Sequence, residues 1–381
     1  MKLLFASDSF KGSLSSEKTV ALLAQAAETV FGACETSGVP VADGGEGTVD
    51  AVIQAENGRK ITVPVHGPLM EEIHAEYGIF GDYKAVIEMA SASGLPLVPA
   101  EKRDPRNTTT YGTGELILDA LEKGYRDISI AIGGSATNDG GMGCARALGI
   151  RFLDADGREL EGFGRDLIHV DRIDVSGLDK RLADAAITVM CDVTNPLCGK
   201  DGATYTFGKQ KGATPEIQKE LEEGMLHYNQ VILDQFGIDC NKVEGAGAAG
   251  GLGAALKVFL HGNMRSGIET VLDLIHFDER LEGVDLVVTG EGRTDWQSCF
   301  GKVMQGVGVH AKAKGIPVAG LSGSLGKNAL DICEYGVSSL MTTVNAPMSL
   351  DEALDRAEEL YYKGAVRMFR FVKAGMDIAA K

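Results

Sequence analysis

The sequence predicts an α/β protein in which both chain ends build one parallel sheet and a second α/β domain is inserted between them. Three observations carry this. Apolar strands alternate with polar loops and amphipathic helices at both ends of the chain. Glycine is in excess, 50 of 381 residues, and falls in short clusters after apolar segments, where backbones turn tightly or approach a ligand. The length also exceeds what one ordinary core holds, so two domains are expected. The expected boundaries give residues 1–65 and 282–381 to the first domain and 66–281 to the second. The active site is expected in the cleft between them.

The elements follow in order. Leu3 to Ala6 reads as a short buried strand, followed by a polar turn from Ser7 to Ser13. Ser15 is the N-cap of the next helix, Glu17 favours its first turn, and Gly32 ends it. Val20, Leu23, Ala24, Ala27, Val30 and Phe31 supply its apolar stripe. Ile61–Pro68, Ile73–Phe80, Ala85–Met89 and Ile128–Ile132 read as strands, and residues 108–123 and 140–149 as helices. Segment 151–185 is polar and broken by glycines. The opening pattern returns near the end, with a strand Val284–Thr289, a loop from Gly290 to Asp295, and a helix at about 301–314. Strands Pro317–Leu321 and Val337–Val344 follow. Ser349 with Glu352 forms a capping-box pattern that opens one long final helix. Such alternation places ligands at the carboxyl ends of parallel strands.

Composition bounds the partners. Hydrophobic residues at 44% and charged residues at 24% are an ordinary globular balance. The formal charge of −17 disfavours nucleic acid and anionic membrane. It leaves small anions open, because the Debye length of about 8 Å screens distant carboxylates. No apolar run approaches the roughly 18 residues of a membrane span, and the start lacks a secretory apolar stretch. The seven cysteines show no zinc-site spacing, which suits reduced thiols and a cytoplasmic protein. Monomer and homodimer both stay open.

The loops carry the chemistry. Gly133-Gly134-Ser135-Ala136-Thr137-Asn138 follows a strand and leads through more glycines into a helix. Its backbone N–H groups suit an anion, whereas an ordinary tight turn needs fewer glycines. Gly245 to Gly250 matches G-x-G-x-x-G, but the residues before it make a poor strand, so another anion loop or close packing through small residues competes with a dinucleotide site. Gly320 to Lys327 resembles a Walker A loop but is one residue too long, with Asn328 where a magnesium-binding hydroxyl belongs. Asp8, Asp43 with Gly44 and Gly45, Asp192 with Asn195, and Glu291 with Asp295 all sit in loops after apolar strands. Each alone is an ordinary turn-former. Together with Lys11, Arg293 and Lys302 they are the groups phosphoryl transfer needs: carboxylates for magnesium and a proton, and cations for phosphate.

Taken in order, these segments resemble the type I glycerate kinases, bacterial enzymes that phosphorylate glycerate with ATP. The resemblance rests on Asp8-Ser9-Phe10-Lys11-Gly12-Ser13, Ala42-Asp43-Gly44-Gly45-Glu46-Gly47-Thr48, Glu88 to Leu95, and Thr109 to Gly114. It continues through the glycine loop at 133–143, Cys191-Asp192-Val193-Thr194-Asn195-Pro196, Thr206 to Ala213, the loop at 245–253, and Gly290-Glu291-Gly292-Arg293-Thr294-Asp295. One departure is Met304, where members often carry proline. The resemblance implies a flavodoxin-like domain made from both chain ends, an inserted α/β domain, and 2-phosphoglycerate as product.

The expected reaction is in-line transfer of the ATP γ-phosphoryl group to a glycerate hydroxyl. Asp8 or Asp192 would accept the hydroxyl proton, with Asp295 and Glu291 near Mg2+. Lys11, Arg293 and Lys302 would face anionic groups. Asp43, Gly44, Gly45, Gly133, Gly134, Ser135, Thr137, Asn138 and Asn195 are the expected substrate- and phosphate-binding positions. ATP and glycerate are then the partners, with neither nucleic acid nor membrane. The rivals are a nicotinamide-dependent hydroxy-acid dehydrogenase on Gly245–Gly250, which requires a strand ending just before Gly245, and a regulator that binds metabolites without turnover.

Overall fold

The computed structural model describes residues 1–381 and divides them into two compact units. The first comprises residues 1–43, 50–56 and 268–381; the second comprises 44–49 and 57–267.

In the first unit, the short apolar runs at the two chain ends pair as parallel strands. Leu3, Leu4 and Phe5 lie beside Leu286, Val287 and Val288, all buried. The complete sheet runs Val337–Thr342, Val318–Ser322, Leu286–Thr289, Lys2–Phe5, Glu35–Gly38. Numbered along the chain, this is the 2-1-3-4-5 order of flavodoxin-like folds. Its topological switch point lies between Lys2–Phe5 and Leu286–Thr289. Ser15 caps the helix Ser16–Phe31 by accepting from the Lys18 N–H, and Gly32 ends it with positive φ. Leu22, Leu23, Ala26 and Ala27 of that helix join Tyr361, Ala365, Met368 and Phe369 of the last helix over one face of the sheet.

Two local expectations change here. The capping pattern is real, since Ser349 Oγ accepts from the Glu352 N–H at 3.2 Å. The helix it opens spans only Leu350–Asp355, however, and breaks at Arg356 before a second helix, Ala357–Ala379. The Glu352 carboxylate turns to Arg356 at 2.8 Å. At the other departure, Met304 occupies the first turn of the helix Val303–Ala313, fully buried and accepting through sulfur from Thr294 Oγ1 at 3.1 Å. First-turn N–H groups need no intrahelical partner, so methionine and proline both suit that position.

The second unit carries a six-stranded mixed sheet in the order Asn263–Arg265, Ala186–Met190, Asp127–Ala131, Lys84–Glu88, Glu72–Phe80, Arg59–His66. The strands from Lys84–Glu88 to Asn263–Arg265 are parallel, and a meander completes one edge. Residues 57–65 therefore lie in this unit and not with the chain termini, because Arg59–His66 pairs antiparallel with its neighbour in sequence. Residues 268–281 go the other way, into the first unit. Helix Tyr111–Glu122 buries Leu116, Ile117 and Ala120 in the core of the second unit, and helix Pro215–Phe236 adds Leu221, Met225, Tyr228 and Ile232. No helix is long and apolar enough to cross a membrane.

Candidate active site

At the switch point of the first sheet, the loops leaving the two central strands are tied together. Ala6 N–H donates to Val288 O at 2.8 Å, and Asp8 N–H donates to Gly290 O at 2.9 Å. The chain after Asp8 folds into a tight turn, Phe10 N–H to Leu14 O at 2.8 Å, with Gly12 at φ +79°. Across from it, Gly323 and Ser324 N–H groups donate to Glu291 O and Gly292 O at 3.1 Å each. These turns enclose a cavity of about 550 Å³, of ordinary size for a small-molecule site. Seven expected residues line it: Asp8, Lys11, Asp43, Glu291, Arg293, Asp295 and Lys302.

Four carboxylates crowd that space. Burial, then the nearby Asp43, push the Asp8 carboxyl up to about 7, with Glu291 adding to the effect; the Ser9 N–H and Lys11 pull it back only in part. Burial likewise holds Glu291 above the ordinary carboxylate range, against hydrogen bonds from Ser298 and Thr294 and the charge of Lys302. Lys302 Nζ meets Asp43 Oδ2 at 2.6 Å, and Arg293 Nε lies 3.5 Å from Asp295 Oδ2. Negative charge concentrated beyond what the cations offset is a donor set of hard oxygens suited to a divalent cation. No three His, Cys, Asp or Glu side chains stand close enough to hold an ion alone. Magnesium keeps waters and takes only one or two protein carboxylates, which Glu291 and Asp295 would supply.

Ser298 was not anticipated from the sequence. Its hydroxyl donates to Glu291 Oε1 and accepts from the Asp295 N–H, while Asp295 Oδ1 accepts from the Gln297 N–H at 2.9 Å. One buried serine thus holds both acids. The only available signal was its place three residues after Asp295, a capping spacing on a single turn.

The remaining expected residues belong to the second unit, at the carboxyl ends of its parallel strands. Asp192 Oδ1 accepts from Ser266 Oγ and from the Gly267 N–H, both at 2.9 Å. Gly44, at φ +84°, lies so close that an added Cβ would come within 2.8 Å of Gly267 Cα. The Gly133 Cβ position is 3.5 Å from Gly45 Cα, so the two glycine turns adjoin, and Gly133 and Gly134 are exposed. Asn195 serves its own turn, donating to Asp201 O at 2.7 Å.

The rest of the glycine loop turns inward. Ser135 is buried, and Thr137 and Asn138 have no exposure. Asn138 Nδ2 donates to Thr204 Oγ1 at 3.2 Å, and Thr137 O accepts from Lys211 Nζ at 2.6 Å. The Thr137 hydroxyl and Asn138 Oδ1 are buried without a hydrogen-bond partner. Lys211 is itself fully buried, and burial pushes its ammonium down to about 7 despite Asp139. Asp139 holds the loop, accepting from Thr110 N–H and Oγ1 and from the Gly141 and Gly143 N–H groups at 2.7–3.2 Å. Nothing in the Lys209-Gln210-Lys211 run distinguishes a buried lysine from a solvated one.

The G-x-G-x-x-G segment is packing. A Cβ at Gly247 would fall 2.2 Å from Pro196 O, and at Gly250 2.0 Å from Thr137 O. The residues before Gly245 form a 3-10 turn, Cys240–Lys242, where a dinucleotide site requires a strand.

Comparison with known proteins finds matches along nearly the whole chain. The model of the glycerate kinase family matches residues 3–373. A glycerate 2-kinase from Escherichia coli K12 is 46% identical over 382 residues, covering 100% of this chain and 99% of that protein. A glycerate kinase from Bacillus cereus is 46% identical over 360 residues, 94% of each chain. A solved structure described as glycerate kinase 2 from Salmonella typhimurium LT2 superposes with a TM-score of 0.89 at 44% identity, covering 99% of both chains.

Proposed function

Because this chain belongs to the glycerate kinase family, we propose that it transfers the γ-phosphoryl group of ATP to D-glycerate, giving 2-phosphoglycerate. The observation that carries the mechanism is the crowding of Asp8, Asp43, Glu291 and Asp295 with Lys11, Arg293 and Lys302 at the switch point of a parallel sheet. Phosphoryl transfer asks the protein for positioning and charge, and these residues supply both.

Lys11, Arg293 and Lys302 draw the phosphate oxygens into the cavity. Glu291 and Asp295, braced by Ser298, would hold Mg2+, whose charge offsets that of the triphosphate. Asp8 titrates near neutrality, which matches a group that takes a hydroxyl proton at physiological pH. In the second unit, the N–H groups of Gly44, Gly45, Gly133 and Gly134 serve an anionic group, and Asp192 orients the acceptor hydroxyl. The seven free thiols suit a reducing compartment, and we place the activity in the cytoplasm.

Purified protein with ATP, magnesium and D-glycerate tests this reading. ADP release together with a 2-phosphoglycerate resonance in the phosphorus NMR spectrum is the expected result. No glycerate-dependent ADP would refute the kinase reading, and a 3-phosphoglycerate signal would refute the assigned product.

A further inference from the structure

The lining of the first unit's cavity holds two unlike sets of residues, and only the charged set serves the phosphates. The other set is apolar: Leu14, Val344, Leu350, Ala353, Leu354 and Ala357. Leu350 is 72% exposed and Leu354 37%, although both line the cavity. They ride on the short helix Leu350–Asp355, which the break at Arg356 severs from the long final helix. Because these side chains line the cavity, their apolar surface is area available to a bound molecule.

Building on the kinase reading, we propose that this apolar set seats the nucleoside base of ATP, with helix Leu350–Asp355 as its clamp. The lining matches the ligand. A nucleotide is a flat, weakly polar base joined through a sugar to a polyanion, and the cavity's lining combines leucines with Lys11, Arg293 and Lys302. A three-carbon hydroxy acid has no apolar part to cover leucines and needs far less than about 550 Å³. The triphosphate then lies toward Glu291 and Asp295, and the base is held by apolar area.

The double variant L350S/L354S tests this, since Leu350 is largely and Leu354 partly solvated and neutral serine does not repel phosphate. Calorimetric titrations in magnesium compare ATP with inorganic tripolyphosphate, which shares the charged end but has no base. The dissociation constant for ATP should rise about tenfold, as expected when apolar contact with two leucines is lost. That for tripolyphosphate should stay within about twofold, and the KM for glycerate should not move. Unchanged ATP affinity, or an equal loss for both ligands, overturns the clamp. A rise in the glycerate KM alone overturns it too, assigning the leucines to the acceptor. A wild-type protein that turns over while the variant matches it refutes only the clamp; a wild-type protein without kinase activity refutes the reading beneath it.

Discussion

Lys302 Nζ lies 2.6 Å from Asp43 Oδ2, joining residues 259 positions apart in the chain. The lysine follows a glycine at a helix start, and the aspartate ends the first unit's opening segment. Their meeting fixes where a cation stands in the cavity.

Removing that cation should harm catalysis more than stability. The pair is partly solvated, with side-chain exposures of 42% and 19%, and such pairs contribute about 0–1 kcal/mol. K302M should therefore melt within a few degrees of wild type. Its kcat/KM should fall about 10- to 100-fold through lost phosphate stabilisation. Thermal scans beside steady-state kinetics check this, and a fully active K302M would remove the lysine from the site.

Asp8 makes stability and rate depend on pH in opposite senses. Its carboxyl is raised in the folded state to about 7 from an ordinary 3.8, so the fold binds its proton more tightly than the unfolded chain does. The stability it contributes is present below about pH 4 and is lost as pH rises through 7. D8N, measured without nucleotide or metal, should melt several degrees above wild type at pH 8.5 and show no such gain at pH 4. In wild type, kcat/KM should rise through an acid limb near pH 7, and D8N should lack both the limb and most of the activity.

Asp192 separates orientation from proton transfer. Its side chain accepts from Ser266 Oγ and the Gly267 N–H, contacts that an amide oxygen can keep. D192N should fold normally by circular dichroism and lose two or more orders of magnitude in kcat, with the acid limb of Asp8 still present. A fully active D192N would exclude this residue from catalysis.

His310 adds a pH response unrelated to the chemistry. Its ring stands between Asp278 at 2.8 Å and Glu269 at 3.1 Å. Burial lowers its proton affinity, but the two carboxylates win and leave it raised above 6.5. Its contribution is full below the unfolded value near 6.5 and fades as pH rises through the folded one. H310Q should cost about 1 kcal/mol at pH 6 and clearly less at pH 9, as read by urea unfolding at both pH values.

Much of this was legible in the order of residues. Short apolar runs, a serine cap and terminating glycines placed the strands and helices of the chain ends, because such signals act over one or two turns. Asp8 and Glu291 stood out because a carboxylate just after a buried strand emerges at the sheet's ligand-binding edge; Asp43, expected after an apolar strand, instead follows the exposed strand Glu35–Gly38 by five residues. Helix Pro215–Phe236 did not stand out, since Glu222, Gly224 and Asn229 interrupt its buried stripe.

Tertiary structure decided the rest, wherever partners lie far apart in the chain. Strand Lys2–Phe5 could bury its apolar side chains against any parallel neighbour, and only the assembled sheet set it beside Leu286–Thr289. That pairing makes the switch point and draws Lys302 to Asp43. Thr137, Asn138 and Lys211 are all buried, which local sequence could not register, with Lys211 Nζ donating to the Thr137 carbonyl. The physical reason is range: caps, turns and periodicity are settled by neighbours along the chain, whereas burial and electrostatics depend on which distant segments exclude water together.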